Sequence, residues 1–339
     1  MISIECFKGL PSAYESFLIE KYGSFITTCS YIRQHYSTYD IHYMLVSEND
    51  TLLELLVFGN DGSTSRCFNS LVALDQQIIA TCTEKLFEQY PSIRKIYIDA
   101  SYKAYTLDKS ILFFKSDDHI LSLPSDIDTF TAELGSKTRK HLRARKAKLS
   151  KEFSEVCFVI KSGPEIEEAI VDQIIQFNHN RMKNKGKTSG IDTAYKNNIY
   201  QYARHYGTVV YLTLDGVLVA GCIASIINKE IFLHVIAHDN NYSKYNVGEV
   251  CVFHTLETAI EKELQTMHFL WGESELKRRF LAKSHPLFSY FIYRKYSSDF
   301  VVTKLKVLVS EIWIDFKRSK ISDPIRNGIL NFRKKIQSQ

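Results

Sequence analysis

The sequence predicts an α+β chain of two lobes in tandem, each a mixed, mostly antiparallel sheet flanked by helices. Three observations predict it. Val209–Leu214 and Val217–Ile227 are β-rich runs separated by Asp215-Gly216, a dipeptide that supplies the positive φ angles of a two-residue hairpin turn, and a third run, Glu230–Ala237, follows Asn228-Lys229. The polar stretch His238–Asn246 then leads through Val247-Gly248-Glu249 into a helical pattern in which Val252, Leu256, Ala259, Ile260 and Leu264 share one face, followed by a short apolar run, Thr266–Trp271. The N-terminal half repeats this order of meander, loop, helix and strand in outline, without a residue-level repeat.

Composition sets the class. A chain of 339 residues, 45% hydrophobic and 24% charged, is long enough to bury a sizeable core and suggests two domains of ordinary size. The longest nearly apolar run, Val217–Ile227, is about half of the roughly 20 residues that a membrane-spanning helix needs. The first residues include Glu5 and Lys8 and lack an apolar signal-peptide core, so a cytoplasmic chain is expected. The seven cysteines are scattered, with no C-x-x-C pair, which fits free thiols better than a disulfide framework or a zinc site; no metal is expected. The net charge of +5 is concentrated in Lys137–Lys151 and in the tail after Lys304.

In chain order, Met1–Asp40 is aromatic-rich with little periodicity and is assigned as helix and coil around Ala13–Tyr22 and Ile26–Tyr36. Ile41–Val46 and Thr51–Phe58 form a hairpin over Ser47-Glu48-Asn49-Asp50; a loop, Gly59–Arg66, a helix of about Asn69–Tyr90 and a strand at Arg94–Ala100 follow. Ser136 is the expected N-cap of a basic helix in which Leu142, Leu149 and Phe153 form one stripe. Its eight Lys and Arg between Lys137 and Lys151 suit nucleic-acid phosphates, an anionic substrate or membrane, or simply a solvated face. Phe158–Ile160 reads as a strand, Glu165–Arg181 as an amphipathic helix, Lys183–Gly190 as a polar loop and Lys196–Tyr206 as a further helix. A second short helix opening at Gly272-Glu273 carries Lys277.

The start of the helix at Val247 has a chemical consequence. The first turn of a helix has unpaired N–H groups and partial positive charge, so Val247, Gly248 and Glu249 are placed to hold a pyrophosphate, with glycine admitting it close to the main chain. The plainer reading is that Gly248 only eases helix entry.

Several stretches together resemble the GNAT-superfamily acyltransferases of the CelD type, associated with bacterial polysaccharide and cellulose biosynthesis and related in fold to the FemAB aminoacyl transferases. The resemblance rests on the basic Lys137–Leu149 helix, on Phe177–Arg181 ahead of a glycine loop, on Tyr211–Ala224 with its Asp-Gly turn, on Tyr242–Glu249 opening a helix, and on Gly272-Glu273 followed by Lys277. It covers about Phe130–Arg294. The family has a proline before the loop glycine where this chain has Val247. The resemblance implies two GNAT-like lobes: a degenerate one over residues 1–129 and an acyl-CoA-binding one over residues 130–296, with a basic amphipathic tail over residues 297–339.

It further implies transfer of an acyl group, from acetyl-CoA or another acyl-CoA, to an amine or hydroxyl of a sugar-containing or lipid-linked acceptor. The pantetheine arm would lie along Val235, Ile236 and Ala237, and Tyr245, Val247, Gly248 and Glu249 would hold the pyrophosphate. Candidate bases are Glu273 and His234. His179 and Arg181 match the pattern near the acceptor, and Lys277 would meet a substrate carboxylate or pair with Glu273. Each has a plainer reading: His234 as a satisfied core histidine, Glu273 as a helix-start acid, Lys277 as a surface i,i+4 partner, and His179 and Arg181 as basic residues at a helix end.

In the tail, Leu305, Leu308, Ile312 and Phe316 share a stripe with Trp313 beside it and basic residues around it. Docking on the domain is the default, and an anionic membrane surface, at the inner face, is the alternative. Two competing functions stand beside acyl-CoA chemistry: a FemAB-like transferase using aminoacyl-tRNA, ranked lower because no inserted charged helical hairpin is visible, and a non-catalytic binding protein that kept the fold. Nucleic acid is not the expected partner.

Overall fold

The computed structural model describes residues 2–272 and 274–318, with side chains described as far as residue 312. The first half runs β1 (Ile2–Lys8), α1 (Glu15–Tyr22), α2 (Cys29–His35), β2 (Asp40–Glu48), β3 (Thr51–Asp61), β4 (Thr64–Cys67), α3 (Gln76–Gln89), β5 (Lys95–Ser101) and β6 (Ser110–Ser122). Helices α4 (Ile127–Glu133) and α5 (Ser136–Glu152) lead into β7 (Val156–Ser162), α6 (Glu168–Asn184), α7 (Thr193–Tyr206), β8 (Gly207–Leu214), β9 (Val217–Ile227) and β10 (Glu230–His238). The chain ends with α8 (Val247–Glu261), β11 (Thr266–His268), α9 (Glu275–Arg279), β12 (Lys283–Tyr293) and α10 (Ser298–Arg318).

All the described strands join one sheet in the order β1-β2-β3-β4-β5-β12-β6-β11-β10-β9-β8-β7. From either edge inward, each strand faces its counterpart six places along the chain: β1 answers β7, β5 answers β11, and β12 answers β6. Pairing follows the same rule, because β4–β5 and β10–β11 are parallel while the remaining pairs are antiparallel. The two halves expected from element order are therefore duplicates at the level of topology. They also exchange strands, since β12 lies between β5 and β6 and β6 lies between β12 and β11. The innermost strand of each half of the sheet therefore comes from the other half of the chain, which ties the lobes together through main-chain hydrogen bonds.

Local chemistry explains the elements that the periodicity reading caught and those it did not. Asp215 and Gly216 both have positive φ, as the hairpin needs, and Asn228 turns the chain into β10 in the same way. The N-terminal assignment needs correction: Ile2–Lys8 is a strand paired with β2 along its whole length, with Ile4 and Cys6 on one face under α3. Gly59–Arg66 is not a loop, because β3 runs on to Asp61 and turns through Gly62, at φ 58°, into β4. The helix expected from Asn69 starts only at Gln76; Asn69 is buried and pins the strand, accepting from the Val57 amide at 2.8 Å and donating to Leu55 O at 2.9 Å. Ser136 opens α5, but Gly135 is its N-cap and no side chain caps it.

Helix α8 packs Val250, Leu256 and Ala259 into a core with Ile231 and Leu233 of β10, while α6 and α7 cover the opposite face over Val235 and Ala237. Among the described residues no helix is long and apolar enough to cross a membrane.

Candidate functional site

Strand β10 pairs with β11 only through Glu230, Ile231 and Phe232, so from Leu233 to His238 its inner edge leaves β11 behind. A β-bulge between Leu233 and Val235 marks the point of departure, the usual device for re-aiming a strand beside a site. At the far end of this opening the chain makes a 3-10 turn over Asn240–Tyr245, and Asn246 adopts a left-handed conformation at φ 54° before α8 begins.

The first turn of α8 is uncapped. Asn246 makes no side-chain cap, and among the described residues the amides of Val247 and Gly248 have no acceptor, whereas Glu249 and Val250 donate to Asn246 O at 3.0 and 3.2 Å. The matching helix of the first half is closed: the Asp75 carboxylate accepts from the Gln77 and Ile78 amides at 2.8 and 3.1 Å. Asp75 supplies α3 with its own anion; α8 is left to find one.

Basic side chains stand near that opening. The Arg181 guanidinium, at the end of α6, makes no hydrogen bond or ion pair among the described residues; its Nε is buried without a partner, and burial pulls its pKa below the usual arginine value. His179 Nε2 is also buried and unpaired. Burial first, and the neighbouring charges of Arg181 and Lys185 second, hold His238 below its ordinary pKa, while Ser243 Oγ lies 3.4 Å from His238 Nε2. Gly248 faces the His238 ring, and a Cβ there would stand 2.8 Å from Nδ1. The glycine is thus required by the imidazole, which is a different reason from simple approach of a phosphate.

The other residues singled out from the sequence have definite partners. Tyr245 is buried and donates to Glu152 Oε2 on α5 at 2.7 Å. Glu249 is 7% exposed and receives a bidentate pair from Arg279, at 2.9 and 2.7 Å, with Arg145 closing on the same carboxylate. That clamp joins α8 to α5 and α9, and leaves the carboxylate no free oxygen for a ligand. Val235 and Ala237 point into the core beneath α6 and α7, with Ile236 on the α8 side.

His234 also lies on the α7 face, hydrogen-bonded to Ser225 Oγ at 2.8 Å, with Phe25 edge-on at 4.6 Å; burial drives its pKa down to about 3. It is a neutral, enclosed imidazole of the satisfied core type. Lys277 Nζ donates to the carbonyls of Leu270, Trp271 and Gly272 at 2.9, 2.8 and 2.6 Å, and burial brings its pKa down to about 8. It staples the turn after β11. Glu273 lies outside the described residues.

A second feature had no counterpart in the sequence reading. A cavity of about 600 Å³ opens between the lobes, lined by Glu54 and Tyr102 of the first half, Glu230, Phe232 and His268 of the second, and His285 of β12. Three of its polar groups are linked through the buried Asp118: Tyr102 Oη donates to Asp118 Oδ2 at 2.7 Å, His268 Nδ1 meets the same oxygen at 2.7 Å, and His268 Nε2 meets Glu230 Oε2 at 2.9 Å. Burial alone would lower the His268 pKa, but the two carboxylates outweigh it and raise it above the ordinary value. Asp118 is fully buried with Oδ1 unpaired, while Glu230 keeps 37% of its side chain exposed to the cavity. The ring of Phe232 stacks on His268 at 4.3 Å, and these two residues form the last pair before β10 and β11 part, so the group reaches the apex of the opening through His268, with Glu230 two residues back along β10.

Known proteins bear on this arrangement in two ways. The family profile of the acetyltransferase (GNAT) domain matches residues 136–278, from the first residue of α5 to α9, and so spans Arg181, Glu230, His238, the start of α8, His268 and Lys277. Among solved structures, the crystal structure of FemX superposes with a TM-score of 0.66 at 9% identity, covering 85% of this chain and 97% of that one. The C-terminal domain of a putative lysylphosphatidylglycerol synthetase from Agrobacterium fabrum gives 0.56 at 13% identity, covering 88% and 96%. A conserved protein of unknown function from Bacteroides thetaiotaomicron gives 0.57 at 13%, covering 87% and 100%. At such identities the likeness is one of fold. No curated protein matches the sequence. The fold is GNAT-like, a mixed sheet flanked by helices, and the part that the acetyltransferase (GNAT) domain profile matches lies in the second lobe.

Proposed function

We propose that the chain transfers an acyl group from acyl-CoA to an amine or hydroxyl, with the second lobe holding the donor and the cavity between the lobes holding the acceptor. The observation that carries this reading is the contrast between two equivalent helix starts: α3 is capped by Asp75, while α8 offers free amides beside an unpaired Arg181. An unpaired, half-buried guanidinium is costly unless an anion completes it, and a pyrophosphate suits a helix N-terminus and an arginine together. From there the pantetheine arm follows the free edge of β10 past Ala237, Ile236 and Val235, bringing the thioester toward Phe232 and His268.

At the apex the acceptor nitrogen or oxygen attacks the thioester carbon, the C–S bond breaks and a C–N or C–O bond forms. Glu230 accepts the proton that the nucleophile sheds, oriented by an imidazolium that Asp118 keeps charged, and the released thiolate is protonated from solvent. Main-chain N–H groups at the β10 bulge stabilise the developing oxyanion. Glu273, the base suggested by the sequence, remains a second candidate for acceptor chemistry. The carboxylates, Tyr102 and His285 around the cavity suit a hydroxyl-rich acceptor, in keeping with the sugar-containing precursors implied by the CelD-type resemblance. An acyl-CoA donor puts the reaction on the cytoplasmic side.

A second reading, aminoacyl-tRNA as donor, is favoured by one observation: Lys137, Lys140, Arg143 and Lys151 form an exposed face of α5 with no acidic partner among the described residues. A thermal-shift comparison separates the two. A ligand that binds only the folded state raises the melting temperature, by about 2.7 kcal/mol of stability at a hundredfold excess over Kd. Acetyl-CoA should produce that shift in the parent and not in Arg181→Gln. A shift with aminoacyl-tRNA and none with any acyl-CoA would replace the first reading by the second.

A further inference from the structure

Over its described side chains, helix α10 docks through one side. Phe300 and Val307 pack with Ile111 and Tyr293, and a groove beside them is lined by Phe113, Phe114 and Phe291 of the sheet. The opposite side is apolar and open: Val301, Val302, Leu305, Leu308, Val309 and Ile312 are exposed by between 46% at Val302 and 63% at Ile312. At 100° per residue these six positions fall within an arc of about 120°. An arc of this width normally faces a core, and here the core-facing side of the same helix is already in use.

What flanks the arc identifies its occupant. Lys304 and Lys306 lie just beyond its two borders, both exposed and neither paired with an acid among the described residues. Of the acids described on this helix, Asp299 is held by Lys95 at 3.0 Å and Glu311 lines the groove, whose rim also takes in the exposed Lys306. A second copy of this helix, packed antiparallel about a two-fold axis, would set Lys304 against Lys304 and Lys306 against Lys306, so the borders repel self-association. A plane of anionic lipid accepts both borders at once, with aliphatic side chains entering the acyl boundary and lysine stems reaching back to the headgroups.

We infer that α10 is an interfacial anchor that lies on an anionic lipid surface through Val301, Val302, Leu305, Leu308, Val309 and Ile312, with Lys304 and Lys306 at the headgroups. The inference stands independently of the reaction. Residues 319–339, which add further Lys and Arg, continue from its end.

The full chain should cosediment with phosphatidylglycerol-containing vesicles and much less with pure phosphatidylcholine. Leu305→Glu/Leu308→Glu should lower the partition coefficient at least tenfold while leaving the melting temperature unchanged, because both side chains are already exposed. Lys304→Gln/Lys306→Gln should lower it about fivefold per lysine at low salt, with the difference fading as salt rises. The anchor is excluded if the parent stays in the supernatant, or if the leucine variant pellets as the parent does. It is also excluded if the parent is a dimer that the leucine variant converts to monomer without any vesicle binding, since a second copy would then be the occupant.

Discussion

Gly248 and the imidazole of His238 share one corner of the molecule: a Cβ on Gly248 would lie 2.8 Å from His238 Nδ1 and 3.3 Å from Cγ. The first turn of α8, the end of β10 and the Ser243 hydroxyl are thereby fixed against one another around the amides that are free to hold an anion.

Gly248→Ala should therefore destabilise the fold by about 1–3 kcal/mol, as overpacking does, and weaken donor binding with it. His238→Ala should recover much of that loss by vacating the space. A double-mutant cycle on thermal or urea unfolding measures the coupling, and strictly additive effects would show that the two residues do not share the site.

Arg181 predicts opposite changes in stability and in binding. Its charge is partly desolvated and unpaired among the described residues, so Arg181→Gln should leave the apo protein as stable as the parent or more so. The same change should cost tenfold or more in acyl-CoA affinity by titration calorimetry. Unaltered affinity would move the anion site away from α6.

Lys277 serves as a structural staple. Lys277→Met removes the donor from the carbonyls of Leu270, Trp271 and Gly272 and should destabilise the chain by roughly 2–5 kcal/mol, seen as a lower urea midpoint. A stable Lys277→Met protein that has lost only activity would instead return this residue to the substrate.

Much of this architecture was legible in the sequence. The Asp215-Gly216 hairpin, the third strand at Glu230 and the helix from Val247 rest on local turn chemistry and periodicity, and such signals survive without knowledge of tertiary partners. The duplication showed only as element order, because the halves keep topology and no common residues. Strands β6 and β12 went unassigned for a physical reason: each lies in the interior of the sheet, and the run Ser116-Asp117-Asp118-His119 breaks the apolar pattern of β6 around Asp118, whose partners Tyr102 and His268 stand elsewhere in the chain. The group Tyr102, Asp118, Glu230 and His268 comes from four separate stretches, so no spacing could have brought it together. A polar cluster inside the apolar run Ile111–Leu121 was the available sign, since a buried carboxylate in a strand needs a cation or donor from elsewhere.

Two carboxylates compete for the role of base. If Glu230 takes the acceptor proton, Glu230→Gln should lower kcat by a hundredfold or more with little change in acyl-CoA affinity, since general-base contributions run to about 10² to 10⁴. Glu273→Gln would then change kcat only modestly. The reverse pattern, with Glu230→Gln fully active, would return the role to Glu273 and leave the Asp118, His268 and Glu230 chain to hold the lobes together.

That chain also makes a forecast about pH. The folded-state pKa of His268 lies above its unfolded value of 6.5, so its contribution to stability is fully present below pH 6.5 and is lost as pH rises through the folded pKa. Asp118 is shifted the other way: burial alone would raise it, but its bonds to His268 and Tyr102 lower it below 3.8, so its contribution is present above pH 3.8 and is lost as pH falls through the folded pKa. The pair is therefore worth most between about pH 4 and 6.5. The difference in melting temperature between the parent and His268→Gln isolates the effect from the other titrating groups. It should be largest near pH 5.5, shrink toward pH 8 as the imidazolium loses its proton, and shrink again below pH 4 as Asp118 gains one. A difference that stays constant across this range would mean that His268 is neutral in the folded protein, and the imidazolium assigned to orient Glu230 would have to be abandoned.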